Sequence, residues 1–216
     1  QIVQGPGFVT VQREMVHETR VIPTDGSLGQ TWTKDPDSFD NAAWTLATPG
    51  LGWENTTTGT LWPAITTDIK NEMKGTNASG YFRWEFDFNN AGNINALTLR
   101  VTVDDGFVAY LNGVKIGDFN APDPTLWNST ATGSRIDPTV LNTPIEIDAV
   151  AFKSDVRNGS NVIAIQGMNT QPGGSDFLIS AALDVNHTVA AAPLILTESR
   201  TITARAFDGN HCWSIS

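Results

Sequence analysis

The stretch Tyr81-Phe82-Arg83-Trp84-Glu85-Phe86-Asp87-Phe88 alternates strictly between apolar and polar side chains. Phe82, Trp84, Phe86 and Phe88 fall on one face, while Arg83, Glu85 and Asp87 fall on the other. Successive side chains of a strand point to opposite faces, so a period of two sustained over this length marks a strand with one face in a core. The pattern continues downstream. Asn89 to Asn93 is a polar loop, and Ile94 to Val103 then places Leu97, Leu99, Val101 and Val103 in alternation. Asp104-Asp105-Gly106 reads as a turn into the strand Phe107 to Leu111. Asn112-Gly113 follows, the strongest short-range hairpin signal in the chain, with Val114 to Gly117 as the returning strand.

Other strands are legible on both sides. Phe8 to Val11, Thr19 to Ile22, Ile145 to Asp148, Phe177 to Leu183 and Arg200 to Phe207 read as strands. Asn161 to Gln166 carries apolar side chains on both faces, Val162 and Ala164 against Ile163 and Ile165, as a strand buried on both sides does. Pro49-Gly50-Leu51-Gly52 reads as a turn or loop. Only one helix is expected, one or two turns around Ile65, Ile69 and Met73, which stand four apart. Residues 118–143 read as a long polar loop containing Pro122, Pro124 and Pro138. A structureless stretch of that length in a compact domain is commonly functional. About ten short strands separated by Gly, Pro and Asn turns predict an all-β antiparallel β-sandwich.

Composition narrows the function. The 216 residues suffice for a sizeable core, so neither disulfides nor a metal are needed for folding. The 13 Lys and Arg against 23 Asp and Glu give a net charge of -10, and no basic run is present. Nucleic acid is therefore excluded as a partner, since phosphate contacts need clustered positive charge. No apolar run approaches a membrane span, so no membrane insertion is expected. The single Cys212 excludes an intrachain disulfide framework and reads as a small hydrophobe. The chain begins at Gln1 with no leader in view, as a mature form or an excised piece would.

Four motifs between Trp32 and Leu183 carry a family resemblance. They are Phe39-Asp40-Asn41-Ala42-Ala43-Trp44, Tyr81-Phe82-Arg83, the run Val103-Asp104-Asp105-Gly106-Phe107-Val108-Ala109-Tyr110-Leu111-Asn112-Gly113, and Gly159 to Ile165 followed by Ser175-Asp176-Phe177. In this order and spacing they resemble the galactose-binding-domain-like jelly rolls, accessory modules of secreted bacterial multidomain proteins and glycoside hydrolases. Asn41 departs from the pattern, standing where an acid is usual. Pro193 to Leu196, Thr201 to Ala206 and Trp213-Ser214 resemble the closing strands of a chitobiase-type immunoglobulin-like module. The expected organisation is a sandwich over residues 1–186. Residues 187–216 follow as extra terminal strands packed on it, or as the remnant of a neighbouring module.

No constellation of catalytic groups is evident. His17, His187 and His211 form no tight pair, and no nucleophile elbow is present. Carboxylates at Glu54, Glu85, Asp104, Asp105 and Asp176 are available for glycosidase chemistry, but alternation does not show any two of them facing a cleft. The chain is therefore expected not to be an enzyme. Sugar recognition asks for less: an aromatic platform for the C–H face of a pyranose, with amides or carboxylates for its hydroxyls. Trp53, Trp62 and Trp127 lie in stretches that read as loops, flanked by Glu54, Asn55 and Asn128, and Asp118 opens the long polar loop. These seven are the candidate ligand-binding residues. The resemblance implies a structural calcium near the loops, and Asp35, Asp37 and Asp40 have suitable spacing for its carboxylate ligands, without the full EF-hand signature.

The expectation is a non-catalytic carbohydrate-binding module of a secreted or extracellular multidomain protein, taking a neutral polysaccharide or oligosaccharide beside neighbouring domains of its own chain. The alternative is a structural or adhesive spacer with no ligand of its own.

Overall fold

Alternating strands bury their apolar faces by stacking two sheets, and the computed structural model shows this arrangement. It describes residues 2–5, 8–11, 17–20, 30–34, 45–187, 205–207 and 212–214. Asp35, Asp37, Asp40 and Trp44 lie outside the described residues. So does most of the expected 187–216 appendage, of which His187 and the pair β14 (Arg205–Phe207) and β15 (Cys212–Ser214) are described.

The first sheet contains β1 (Ile2–Gly5), β2 (Phe8–Val11), β5 (Leu51–Glu54), β6 (Thr67–Asp68), β8 (Ile94–Asp104), β11 (Ile145–Asp148) and β13 (Asp176–His187). β13 is its hub, pairing with β8 along its length, with β5 at its start and with β2 at its end. The second sheet runs in the order β10 (Val114–Phe119), β9 (Gly106–Leu111), β12 (Gly159–Met168), β7 (Ser79–Phe88), β3 (His17–Arg20) and β4 (Thr45–Ala47). Every pairing is antiparallel except that of β5 with β6.

The core lies between the sheets. Leu51, Trp53, Val101, Val103, Phe177 and Ile179 from the first sheet meet Phe82, Trp84, Phe107, Leu111, Ile163 and Ile165 from the second. Phe86 and Phe88 pack at its margin. β12 is buried on both faces, as its sequence predicts. Its outer residues Val162 and Ala164 pack with Trp32 and Tyr81 beneath the 3-10 turn Gln30–Thr33. The Asn112-Gly113 hairpin forms, with both residues at positive φ, 49° and 91°, as a two-residue hairpin turn requires.

The sequence-based picture needs four corrections. The domain is β-dominated rather than all-β: the one expected helix is confined to α1 (Lys70–Met73), a single turn that buries Met73 and starts after Ile65 and Ile69, and a second, α2 (Asp137–Asn142), forms inside the stretch read as a structureless loop. Pro138 fits the first turn of α2, where its missing N–H costs nothing. Leu51 and Gly52 belong to β5 rather than to a turn. Trp53 is consequently on a buried strand and not in a loop. Finally, Asp104-Asp105-Gly106 is not a turn between paired strands: β8 runs to Asp104, β9 starts at Gly106, and the chain crosses there from one sheet to the other.

Candidate functional site

Register fixes where the acidic side chains go. Glu54 and Asp176 are partners on β5 and β13, and Asp104 of β8 is the partner of Leu178. Side chains two apart on a strand share a face, so Glu54, Asp176, Leu178 and Asp104 share one. Trp53, Phe177 and Val103, one residue away, fill the core. The carboxylates therefore lie on the outer face of the first sheet, where Leu178 packs with Leu61 and Val140. Val140 belongs to α2, which thereby brings Asp137 of its first turn over the same spot.

Glu54, Asp137 and Asp176 each offer a carboxylate oxygen, and these oxygens all lie within 4.8 Å of one another. Glu54 is 7 % exposed and its Oε1 accepts from the Leu61 N–H at 2.8 Å. Gly59 lies against the same carboxylate, so closely that a Cβ there would stand 2.1 Å from it. Asp104 is 3 % exposed. Burial, and next the charge of Asp105, push its carboxyl up to about 9. Asp176 is raised as well, again chiefly by burial. Two full charges about 4.8 Å apart repel by about 3 kcal/mol at an effective dielectric near 20. The cations beside the group direct their donors to carbonyls: Lys70 Nζ donates to the Glu54 carbonyl at 2.8 Å. The Arg135 guanidinium donates to the carbonyls of Val103 (2.8 Å), Thr139 (3.3 Å) and Thr143 (2.6 Å), and its burial lowers its pKa.

The raised Asp104 carboxyl has a stability consequence. A folded pKa near 9 exceeds the unfolded value of about 3.9, so the protonated group's contribution is complete below pH 4 and is lost as pH rises toward 9. Asp104→Asn removes that loss while keeping the shape. In chelator-treated protein the substitution is expected to leave stability unchanged at pH 3.5–4. At pH 7–8 it is expected to stabilise by about 1–3 kcal/mol, the scale of a badly satisfied buried polar group. Urea melts across that range check it, and a variant less stable than the parent at pH 8 contradicts it.

Asp105 faces elsewhere. Its Oδ1 accepts from the Arg135 N–H at 2.8 Å and its Oδ2 from the Thr170 N–H at 3.0 Å. It thus ties the crossing between sheets to two distant segments. The segment after β10 is strapped to the outer face of the second sheet. Gln166 Nε2 donates to the Leu126 carbonyl (2.8 Å), the Tyr81 hydroxyl to the Trp127 carbonyl (2.7 Å) and Ser79 Oγ to the Ser129 carbonyl (2.6 Å). Asn120 Nδ2 donates to the Gly133 carbonyl at 3.1 Å.

The seven candidate ligand-binding residues separate into two groups. Trp53, Glu54, Asn55 and Trp62 belong to the β5 side. Trp53 is 1 % exposed with the Lys74 ammonium 4.9 Å from its ring centroid, so its face is covered. Asn55 is exposed and its Oδ1 accepts from Lys74 Nζ. Trp62 is half-buried and opens a 3-10 turn directly after Leu61. Trp127 and Asn128 ride the strapped segment over the second sheet, the first half-buried and the second exposed. Asp118 is exposed on β10 and pairs with Lys115 at 2.8 Å. Among the described residues no hydrogen bond or ring contact joins the β5 group to Trp127, Asn128 or Asp118. Asp137 is the residue that sequence reasoning passed over. It stands in the stretch read as loop, and only the Asp-Pro helix start signals it.

The fold has relatives among solved structures. A β-glucuronidase of Bacteroides uniformis matches over 82 % of this chain with a TM-score of 0.51 and 12 % identity. A β-glucuronidase of Ruminococcus gnavus, in complex with uronic isofagomine, matches over 86 % with a TM-score of 0.50 and 12 % identity. The chain spans 18 % of the former protein and 29 % of the latter. At such identities the likeness is one of fold, to a part of larger glycosidases. No protein-family model matches the sequence, and no curated protein matches it. Among the described residues no helix is long and apolar enough to cross a membrane.

Proposed function

We propose that the chain is a non-catalytic carbohydrate-binding module of a larger secreted protein, built as a galactose-binding-like jelly roll and taking a neutral glycan. One observation carries this reading. Hydrogen bonds from Ser79, Tyr81 and Gln166 hold the 126–129 backbone in place, so that Trp127 and Asn128 are presented on a fixed support. A backbone that needs no ordering on binding costs less entropy when a sugar stacks on the ring it carries. Fold likeness to parts of glycosidases supports an accessory role beside a separate catalytic domain. Trp62, half-buried in its 3-10 turn, offers a second, smaller platform.

A catalytic reading is disfavoured by the acidic group itself. Glu54 is enclosed by the Leu61 N–H and by Gly59, where not even a methyl group fits, so a sugar ring has no approach to it. Glucuronides are poor candidates as ligands, because a uronic carboxylate would meet a chain of net charge -10. The burial of Trp53 favours the alternative, a spacer without a ligand, by removing one of three expected platforms.

Depletion assays with a panel of neutral polysaccharides (glucans, mannans, galactans, xylans) test the proposal. Trp127→Ala is expected to weaken binding about tenfold, the worth of one aromatic platform, with the melting temperature nearly unchanged. Trp62→Ala is expected to weaken it less. Retention of full binding by the double variant would remove these rings from the site.

A further inference from the structure

We propose that Glu54, Asp104, Asp137 and Asp176 form a calcium-binding site that clamps α2 and the Leu61 turn onto the outer face of the first sheet. The four carboxylates come from four separate places in the chain: the end of β5, the end of β8, the first turn of α2 and the start of β13. Oxygens of Glu54, Asp137 and Asp176 lie within 4.8 Å of one another. Calcium binds oxygen at about 2.3–2.6 Å, so ligands on opposite sides of one ion stand about 4.6–5.2 Å apart. The spacing admits a single ion with little rearrangement.

Asp104 supplies the independent sign of a ligand. It is outside that triad and 3 % exposed, and strand register puts it on the same sheet face as Glu54 and Asp176. Among the described residues no N–H and no Lys or Arg side chain donates to it, and the charges around it are those of Asp105, Asp176 and Asp137, with Arg135 in electrostatic range but not bonded to it. Buried carboxylates are ordinarily paired or hold a metal. Arg135 spends its guanidinium on three carbonyls, and Lys70 directs its ammonium to the carbonyls of Glu54 and Asn55. The donor set is oxygen alone, with neither imidazole nor thiolate, which suits a hard cation. Calcium tolerates irregular coordination by several carboxylates, whereas magnesium demands a tight octahedron and keeps most of its waters. The site is distinct from Asp35, Asp37 and Asp40, and it stands whether or not the chain binds a glycan.

Calorimetric titration of calcium chloride into the full chain, stripped with chelator and dialysed at pH 7.5, tests the proposal. One ion per chain is expected, with a rise in melting temperature. The double substitution Asp137→Asn with Asp176→Asn is expected to weaken binding by at least tenfold and abolish that rise. Both positions are half-buried and close to like charges, so this variant is expected to fold, and its metal-free melting temperature verifies that it does. Asp87→Asn, exposed on β7 of the other sheet, is expected to bind as the parent does. The proposal is overturned if the parent binds no calcium up to about 5 mM, above the weak end of extracellular sites. It is equally overturned if the folded double variant binds as tightly as the parent, if substitution of Asp35, Asp37 and Asp40 alone removes binding, or if magnesium binds in preference to calcium.

Discussion

Trp53→Ala is expected to destabilise the domain by about 3–5 kcal/mol, the range for deleting a buried aromatic side chain from a core. Trp53 is 1 % exposed and sits on β5 between its two neighbours, antiparallel β13 and parallel β6. Its register partner Phe177 stacks on Phe82 of the opposite sheet at a centroid distance of 6.3 Å. Removing the indole therefore opens a cavity against the pair that joins the sheets. Nε1 has no hydrogen-bond partner, so the loss is one of packing. Trp53→Phe, which leaves a ring in place and no orphaned N–H, is expected to cost about 1–2 kcal/mol. Urea denaturation checks both. A cost below about 1 kcal/mol for the alanine variant would contradict the placement of Trp53 in the core, and would return it to the ligand-binding candidates.

Asp105→Ala is expected to cost about 2–5 kcal/mol, because two backbone donors lose their acceptors and each orphan costs about 1–3 kcal/mol. Asp105 is 4 % exposed, and its two oxygens accept separately from the N–H groups of Arg135 and Thr170. Relief of repulsion with Asp104 offsets part of this. Asp105→Asn keeps one acceptor oxygen and is expected to fall between. Arg135 ends the strapped segment that carries Trp127, so limited proteolysis of the alanine variant is expected to cut within residues 120–136 before the sandwich unfolds. Coincident loss of the whole fold, with no earlier cleavage there, would contradict the role given to Asp105.

Alternation made the two inner faces legible. Phe82, Trp84, Leu99, Val101 and Ile163 stand where period-two reading puts them, since a half-buried strand writes its burial into every second residue. β5 was not legible for the opposite reason. At four residues, with Gly50 and Gly52 among them or beside them, it is too short to show a period, and its assignment rests on tertiary pairing with β13. α2 was hidden by the polar stretch around it, and a two-turn helix has too little length to display an apolar face.

The acidic group was half legible. Glu54, Asp104 and Asp176 each neighbour a core residue in sequence, Trp53, Val103 and Phe177, so parity alone assigns all three to outer faces. What parity cannot supply is register, which places Glu54 opposite Asp176 and Asp104 opposite Leu178. Asp137 arrives from a helix that packs through Val140, a contact with no local trace. Trp53 was misplaced for another reason. Flanking Glu and Asn residues made Trp53 look like part of a loop, yet those flanks are the end of a buried strand and the start of the next turn.

Screening the intact chain against an array of neutral and uronic-acid glycans at neutral pH, with calcium present, tests the recognition role most directly. Selective retention of one class of neutral glycan, at dissociation constants in the micromolar to millimolar range, is the predicted result. Retention of none by folded protein, or of uronic-acid glycans alone, would contradict it.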